Sequence, residues 1–535
     1  MMKPQIWLFV LLLTLGNHMA AQPLVINWQN CYGNEEDQVV RDIVFTGDGY
    51  IMAGETGYYP RLYLLKTDLE GNLIWEKEYY GPRHGEAAFR IFPAEQGNYF
   101  VVATASSSSG DITYDPYPDP GSNNAWILKI DSNGNKLWDK IFGGNCLEKG
   151  KSGLRTSDTA VIFVGFTCSN DGDVSHYYGA DDGWMIKVDK QGNKMWDFTI
   201  GNNWFDRMTE VTETSDKSLL VGGFSYYGEN GNISCNGFNP YDGVQSVLFK
   251  LDSAGNYLWH RCYGGSSHEA LAVIVETDDG YLLGISTSSS DGDVAGTGYH
   301  PGYDNVGNPT FDIWLVKTDF EGNIVWSKCY GGYYEEVPNR IFRMDDGGFL
   351  VFGTTQSYDG DVVGNHSMGY PNSDIWVFKV SSTGTLEWQQ CIGGNTSEYL
   401  RTAIERVGTN KYVIATTAGG VSSGQITCLA GTLDFQIWLI EVTDTTVGLA
   451  ENENDMPLLK LYPNPAALSA WVELPEKDIQ VSMQVQLIGP TGGRLYEAPA
   501  KGRFHQIALE PYPAGLYLVR LWDGERWRVQ KLVKQ

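Results

Sequence analysis

Histidine, basic residues and helical patterning are all scarce in this chain, and each shortage excludes something. Only eight His are scattered over 535 residues, with no HExxH string and no glycine-rich phosphate loop, so the usual marks of zinc hydrolases and nucleotide enzymes are missing. Lys and Arg number 38 against 65 Asp and Glu, a formal net charge of −27, and such a surface repels nucleic acid and anionic lipid. The charge is unevenly held: residues 1–455 carry about −30, and the remainder is slightly basic. Amphipathic helical periodicity is hard to find, whereas Gly (63 residues) and aromatics (13%) are plentiful, which makes all-β the expectation. The apolar run IWLFVLLLTL near the start is too short for a stable span, and no later apolar run is long enough to cross a bilayer.

That first run, with Lys3 before it and Ala20 and Ala21 after it, reads as a signal peptide over residues 1–21, the alternative being a retained membrane anchor. No Cys stands at the expected cut, which argues against a lipoprotein. The mature chain is therefore expected to be exported, without a transmembrane segment. Eight Cys in an exported protein permit disulfides. Cys31, Cys262, Cys329 and Cys391 occupy one position in their repeats (QNCYG, HRCYGG, SKCYGG, QQCIGG), too far apart to bridge one another, and are expected to be buried thiols. Cys146 and Cys168, within one repeat, form the best candidate pair.

What the chain has in abundance is repetition. LLKTDLEGNLIW ending at Trp75 recurs as ILKIDSNGNKLW at Trp138, MIKVDKQGNKMW at Trp196, LFKLDSAGNYLW at Trp259, LVKTDFEGNIVW at Trp326 and VFKVSSTGTLEW at Trp388. A period of roughly 60 residues with only strand and turn signals inside it points to repeated four-stranded sheets, the pattern of a β-propeller. The K-x-D-x-x-G-N-x-x-W stretch resembles the tryptophan-docking motif of quinoprotein-like propellers. Over about twelve residues per repeat, that resemblance implies an outer-strand Trp packed against the next blade, and no activity. A seventh repeat stops after IWLIEVTD, and its missing strand is found in INWQNCYG near the start, which carries Trp28. Residues 25–32 are expected to pair with 436–443, closing a seven-bladed ring over residues 22–445.

A polar linker at 446–458, containing AENENDMP, ends the repeats. Residues 459–535 resemble the C-terminal sorting domain of type IX secretion cargo, through LYPNP at Leu461–Pro465, GPTGGRL at Gly489–Leu495, PAGLYLVRL at Pro513–Leu521 and the terminal VQKLVK. The resemblance implies a small β-sandwich that the type IX secretion machinery and its sortase act on. It further implies passage across the outer membrane, with the cargo left on the cell surface or released. An ordinary sandwich appendage is the alternative.

Two sets of carboxylates are candidate site residues. Asp37, Glu86, Glu148, Asp206, Glu269, Glu336 and Glu398 each follow a YGG-type turn, and either ring the channel mouth as a binding site or accept backbone hydrogen bonds where the chain turns inward. Three long loops open with DGDV and close with Asp: Asp171 and Asp173 with Asp182, Asp291 and Asp293 with Asp312, and Asp359 and Asp361 with Asp374. Repeats four and seven lose charge at both ends of the loop (Asn230, Asn232 and Gln245; Ser423, Gln425 and Gln436), and repeat two is intermediate (Ser109, Asp111 and Asn124). Oxygen ligands without His or Cys suit calcium, while Asx turns need no metal. The G-x-S-x-G string at Gly420–Gly424 lacks the strand-turn-helix setting of a nucleophile elbow. Trp126, Trp184, Trp314, Trp376 and Trp438 begin third strands and read as blade packing more than as sugar platforms. The functional expectation is a non-catalytic module that binds a protein or glycan through its loop face; the alternative is a secreted hydrolase or lyase using carboxylates on that face.

Overall fold

Alternating apolar and polar residues between turns rich in Gly, Asp and Asn give strands mostly of seven to nine residues, and the computed structural model contains no α-helix among its described residues. Those residues are 23–446 apart from 34–35, 84, 118–122, 227, 229, 236–242, 367–371, 400–402 and 430–434, followed by 461–462, 469–473, 483–489, 494–500, 504–522 and 527–534. They form two compact units, within Met1–Val447 and Gly448–Gln535. The leader at 1–21 lies outside the described residues, as does the linker at 446–458 apart from Thr446. No helix among the described residues is long and apolar enough to cross a membrane.

The first unit is a seven-bladed β-propeller. Blade 1 consists of Gln38–Phe45, Gly49–Thr56, Arg61–Asp68 and Leu73–Tyr79, hydrogen-bonded in that order. Blades 2 to 6 repeat this arrangement, their first strands beginning at Ala87, Glu148, Asp206, Glu269 and Glu336. In blade 7, Glu398–Tyr399 and Ile404–Arg406 pair with Lys411–Ala418, which pairs with Gln436–Asp444. Its fourth strand is Leu24–Tyr32, running antiparallel from Leu24 opposite Asp444 to Tyr32 opposite Ile437. The first strands of all seven blades line a central channel.

The repeated motif explains how blades stack. In each D-x-x-G-N turn the Asp carboxylate is the hub: Asp252 Oδ1 accepts from the N–H groups of Ala254 and Asn256, both at 2.9 Å, and Oδ2 accepts from the Asn256 amide at 2.8 Å. The glycine has positive φ (87° at Gly255), and a Cβ there would meet the Trp196 ring of the preceding blade at 3.0 Å. The same glycine and ring meet at Gly71 and Trp28, Gly134 and Trp75, Gly192 and Trp138, Gly322 and Trp259, and Gly384 and Trp326. The Tyr that ends an outer strand adds a hydrogen bond to the same turn, as from Tyr263 to Gly322 O at 2.7 Å. The third-strand tryptophans Trp126, Trp184, Trp314, Trp376 and Trp438 are completely buried, as blade packing requires.

The cysteines correct one expectation. Cys329 and Cys391 are buried free thiols and Cys146 bonds Cys168, but Cys31 bonds Cys428 and Cys262 bonds Cys235. The partner comes from the long loop of the same blade, which folds back over its own outer strand. Thr297 fills that place opposite Cys329, its hydroxyl 3.1 Å from Sγ.

The second unit is a β-sandwich. One sheet holds Leu461–Tyr462, Ser469–Glu473 and Phe504–Ala508; the other orders Arg494–Ala500, Met483–Ile488, Gly515–Trp522 and Trp527–Lys534. Val472, Ile507, Leu487, Val519 and Leu521 from the two sheets share one core, so the unit has an apolar interior of its own.

Candidate functional site

Up-and-down strand order places the tight turns at one end of the blades and, at the other, the long loops and the YGG-type loops between blades. On that loop face Glu86, Glu148, Asp206, Glu269, Glu336 and Glu398 are all fully buried. The N–H groups of Gly144, Asn202, Gly265, Gly332 and Gly394, in the incoming loops, donate to the last five at 2.8–3.2 Å. The Thr167, Thr287 and Thr355 hydroxyls donate to Glu148, Glu269 and Glu336 at 2.7–2.8 Å. Glu148, Asp206, Glu269, Glu336 and Glu398 thus hold the chain where it turns inward. Asp37 is not one of them: it is exposed, and Gln38 occupies the equivalent place, its N–H bonding Phe435 O at 2.9 Å. The register slips by one because two polar residues stand where the other repeats have one carboxylate.

The DGDV loops are also arranged differently from the expectation of a shared space. Asp171, Asp291 and Asp359 accept from the N–H groups of Asn145, Ser266 and Tyr333 at 2.7–2.9 Å, and Asp173, Asp293 and Asp361 from those of Gly143, Gly264 and Gly331 at 3.2–3.3 Å. Each pair thus fastens the loop entering its own blade. The closing residues Asp182, Asp312 and Asp374 are fully buried at the junction leading out of it, beside the carboxyl that opens the next blade. A Cβ on Gly331 would lie 2.5 Å from Glu336 Oε2 and 2.7 Å from Asp312 Oδ1, which is why the first glycine of the YGG turn is needed. The three carboxylates of one repeat therefore divide between two junctions. Among the described residues, no three His, Cys, Asp or Glu side chains are grouped to hold a metal ion. Melting temperatures measured in millimolar calcium and in chelator should accordingly agree within about 1 °C; a reversible calcium-dependent rise would restore the metal reading.

Burial makes these junctions proton-holding. It pushes Glu148, Asp182 and Asp206 up to about 7, Glu336 to about 8 and Glu398 to about 9, with Asp182, Asp312 and Asp374 adding to the rise at Asp206, Glu336 and Glu398. Asp312 Oδ2 lies 3.0 Å from His300 Nδ1, and Asp374 Oδ2 2.7 Å from His366 Nδ1, and each imidazole is raised chiefly by that hydrogen bond. Burial thus favours the protonated form of Glu336 and Glu398, each beside an Asp faced by His.

With the junction carboxyls buried, large aromatic side chains are prominent among the exposed residues of the loop face. Tyr58 (89% exposed), Tyr114 (71%), Tyr358 (60%), Tyr303 (55%) and Trp204 (52%) all project from it. Tyr333, Tyr334 and Tyr358 form a chain with ring centres 5.2 and 6.1 Å apart. Loops of Tyr, Ser, Gly and Asn carrying rigid aromatics have the composition of a recognition surface.

The channel holds residues that comparison of the repeats does not single out. First strands of blades 1 to 6 each carry a β-bulge at one position, at Arg41, Phe89, Lys151, Thr209, Ala272 and Asn339, which line a cavity of about 470 Å³ toward the loop face. One residue further on, an ionic belt crosses the channel. Arg90 Nη2 lies 2.6 Å from Glu210 Oε2 and Nη1 3.6 Å from Asp42 Oδ1, while Nε donates to Ser152 Oγ at 3.2 Å. Beyond the belt, toward the tight turns, is a larger cavity of about 740 Å³ lined also by Arg340 and Glu405. Burial pushes Glu405 up to about 7 against the pull of Arg340, and raises Asp42.

No protein-family model and no curated protein matches the chain. Among solved structures it is similar to a protein of unknown function from Bacteroides caccae, at 11% identity over 64% of this chain and 94% of that one, with a TM-score of 0.34. It is also similar to the phage phi92 endosialidase (10%, 94% and 87%, TM-score 0.37). Puromycin hydrolase is a third, at 10% identity over 83% of this chain and 61% of that one, with a TM-score of 0.44. Likenesses of this size assign no activity, and the seven antiparallel sheets closed by Leu24–Tyr32 stand as what the chain is: a seven-bladed β-propeller followed by a β-sandwich.

Proposed function

We propose that the propeller is an exported binding module that engages a protein or glycan outside the cell through its loop face. One observation carries the reading: the carboxylates of that face serve the fold, while its aromatic side chains, which packing does not need, stand in solvent. Aromatic residues in such positions supply most of the energy of recognition surfaces and also stack on sugars. A screen of glycans and surface proteins against the mature propeller tests it. Tyr58→Ala and Tyr358→Ala should each weaken the bound partner about tenfold or more with unchanged melting temperature. Partners bound equally well by both variants would contradict the reading.

The sandwich is the export address in this proposal, through the resemblance of LYPNP, GPTGGRL and PAGLYLVRL to type IX sorting sequences, and its independent core supports a separable role. Removing residues 459–535 should leave the propeller folded in the periplasm; surface display of the truncated chain would overturn the assignment.

A further inference from the structure

The larger channel cavity has no part in the loop-face reading. It lies on the tight-turn side of the Arg90 belt, and its polar groups are unevenly committed. Arg90 is neutralised by Glu210 and Asp42, with Ser152 completing the set. Arg340 is not: its guanidinium lies over the Phe342 ring, 5.8 Å from the centre, and its charge acts on both Asp42 and Glu405 without an ion pair to either among the described residues. Arg340 and Glu405 therefore face one cavity without pairing directly, while Asp42 is held by Arg90 and by the Ile91 N–H at 2.9 Å.

The charge pattern narrows what could fill it. A free anion at Arg340 would meet Asp42, Glu210 and Glu405, and a free cation at those carboxyls would meet two guanidinium groups. A hydroxyl suits both sides, since its oxygen accepts from guanidinium while its hydrogen is donated to a carboxyl. Phe45, Phe92 and Phe342 line the same cavity, each half-buried against an aromatic ring of the blade core, and make part of its wall apolar. A volume of about 740 Å³ falls within the usual range for small-ligand sites. We infer that this cavity is a binding site for a neutral saccharide of one or two units, held chiefly by Arg340 and Glu405.

Titration calorimetry on the mature protein with glucose, galactose, mannose, maltose, lactose and cellobiose tests this, with glucuronate and glucosamine as charged comparisons. At least one neutral sugar should bind, and both charged sugars should bind it less well. Glu405→Gln, which keeps size and one acceptor oxygen but replaces the other with an NH2 donor, should weaken that sugar about tenfold. Arg340→Met should do so as well, and Glu405→Gln decides the matter if Arg340→Met does not fold. Tyr358→Ala, on the other face, should leave sugar binding unchanged, so failure here is separable from failure of the loop-face reading. Absence of binding by all six neutral sugars at 10 mM, tighter binding of glucuronate or glucosamine, or unchanged affinity in Glu405→Gln would each overturn the inference.

Discussion

Deleting Leu24–Tyr32 is expected to unfold the whole propeller, not merely to fray one end. The strand supplies the complete fourth edge of blade 7 and joins its neighbours on both sides. Leu24 N–H donates to Gln390 Oε1 of blade 6 at 2.8 Å, and Gln390 returns a bond to Leu24 O at 3.1 Å. On the other side, Trp28 rests on the Gly71 turn of blade 1, and Tyr32 donates to Gly71 O. Removing it leaves Gln436–Asp444 as an open edge and opens the ring. A milder test is Cys31→Ser with Cys428→Ser. That disulfide closes a separation of 397 residues, and its loss should cost on the order of 5 kcal/mol, against about 3 for Cys146–Cys168 with a separation of 22. Thermal melts of the two double-serine proteins should fall in that order, and equal melts would contradict the closure argument.

A second large effect is expected from pH. Burial pushes the carboxyls of Glu336 and Glu398 up to about 8 and about 9, above the range near 4 of an unfolded chain, so folding favours their protonated forms. Their stabilising contribution is complete below that unfolded range, declines as pH rises from about 4, and is gone once pH passes about 8 to 9. Deprotonation of His300 and His366, whose pKa values are also raised, acts in the same direction. At about 1.4 kcal/mol per pH unit and group, the loss should reach several kcal/mol. Denaturant unfolding measured from pH 5 to pH 9.5 should show this decline. Glu336→Gln with Glu398→Gln should make it shallower, leaving the part due to Glu148, Asp182, Asp206 and Glu405, and blade 1 already carries the amide Gln38 at the equivalent place. A decline as steep in the double variant would place the titrating groups elsewhere.

The ring, its closure and its stacking were legible because one motif recurs with each part tied to a physical need: Asp for the turn, Gly for the Trp beneath it. The pairing of 25–32 with 436–443 followed from counting strands. Other features were hidden for identifiable reasons. Cys428 and Cys235 lie in long loops that differ from repeat to repeat, so the partners of Cys31 and Cys262 have no common position. Asp37 was misplaced because a carboxylate beside Gln38 mimics the pattern. Charge retained together in the DGDV loops suggested one shared partner, but the repeat comparison cannot distinguish the junction before a blade from the one after it. The channel belt was concealed by divergence: Asp42, Arg90, Ser152, Glu210, Val273 and Arg340 stand four residues after the junction position in successive blades. Variation in an otherwise repeating strand was the available signal.

In the proposed function, buried junction carboxyls serve the ring and exposed loop aromatics serve recognition. The most direct measurement compares Glu398→Gln and Tyr358→Ala side by side, each for affinity toward a partner found in the glycan and surface-protein screen and for stability at pH 9. The account predicts that Glu398→Gln keeps the affinity and gains alkaline stability, while Tyr358→Ala loses affinity and keeps the parent's stability. Loss of affinity in Glu398→Gln with none in Tyr358→Ala would contradict it.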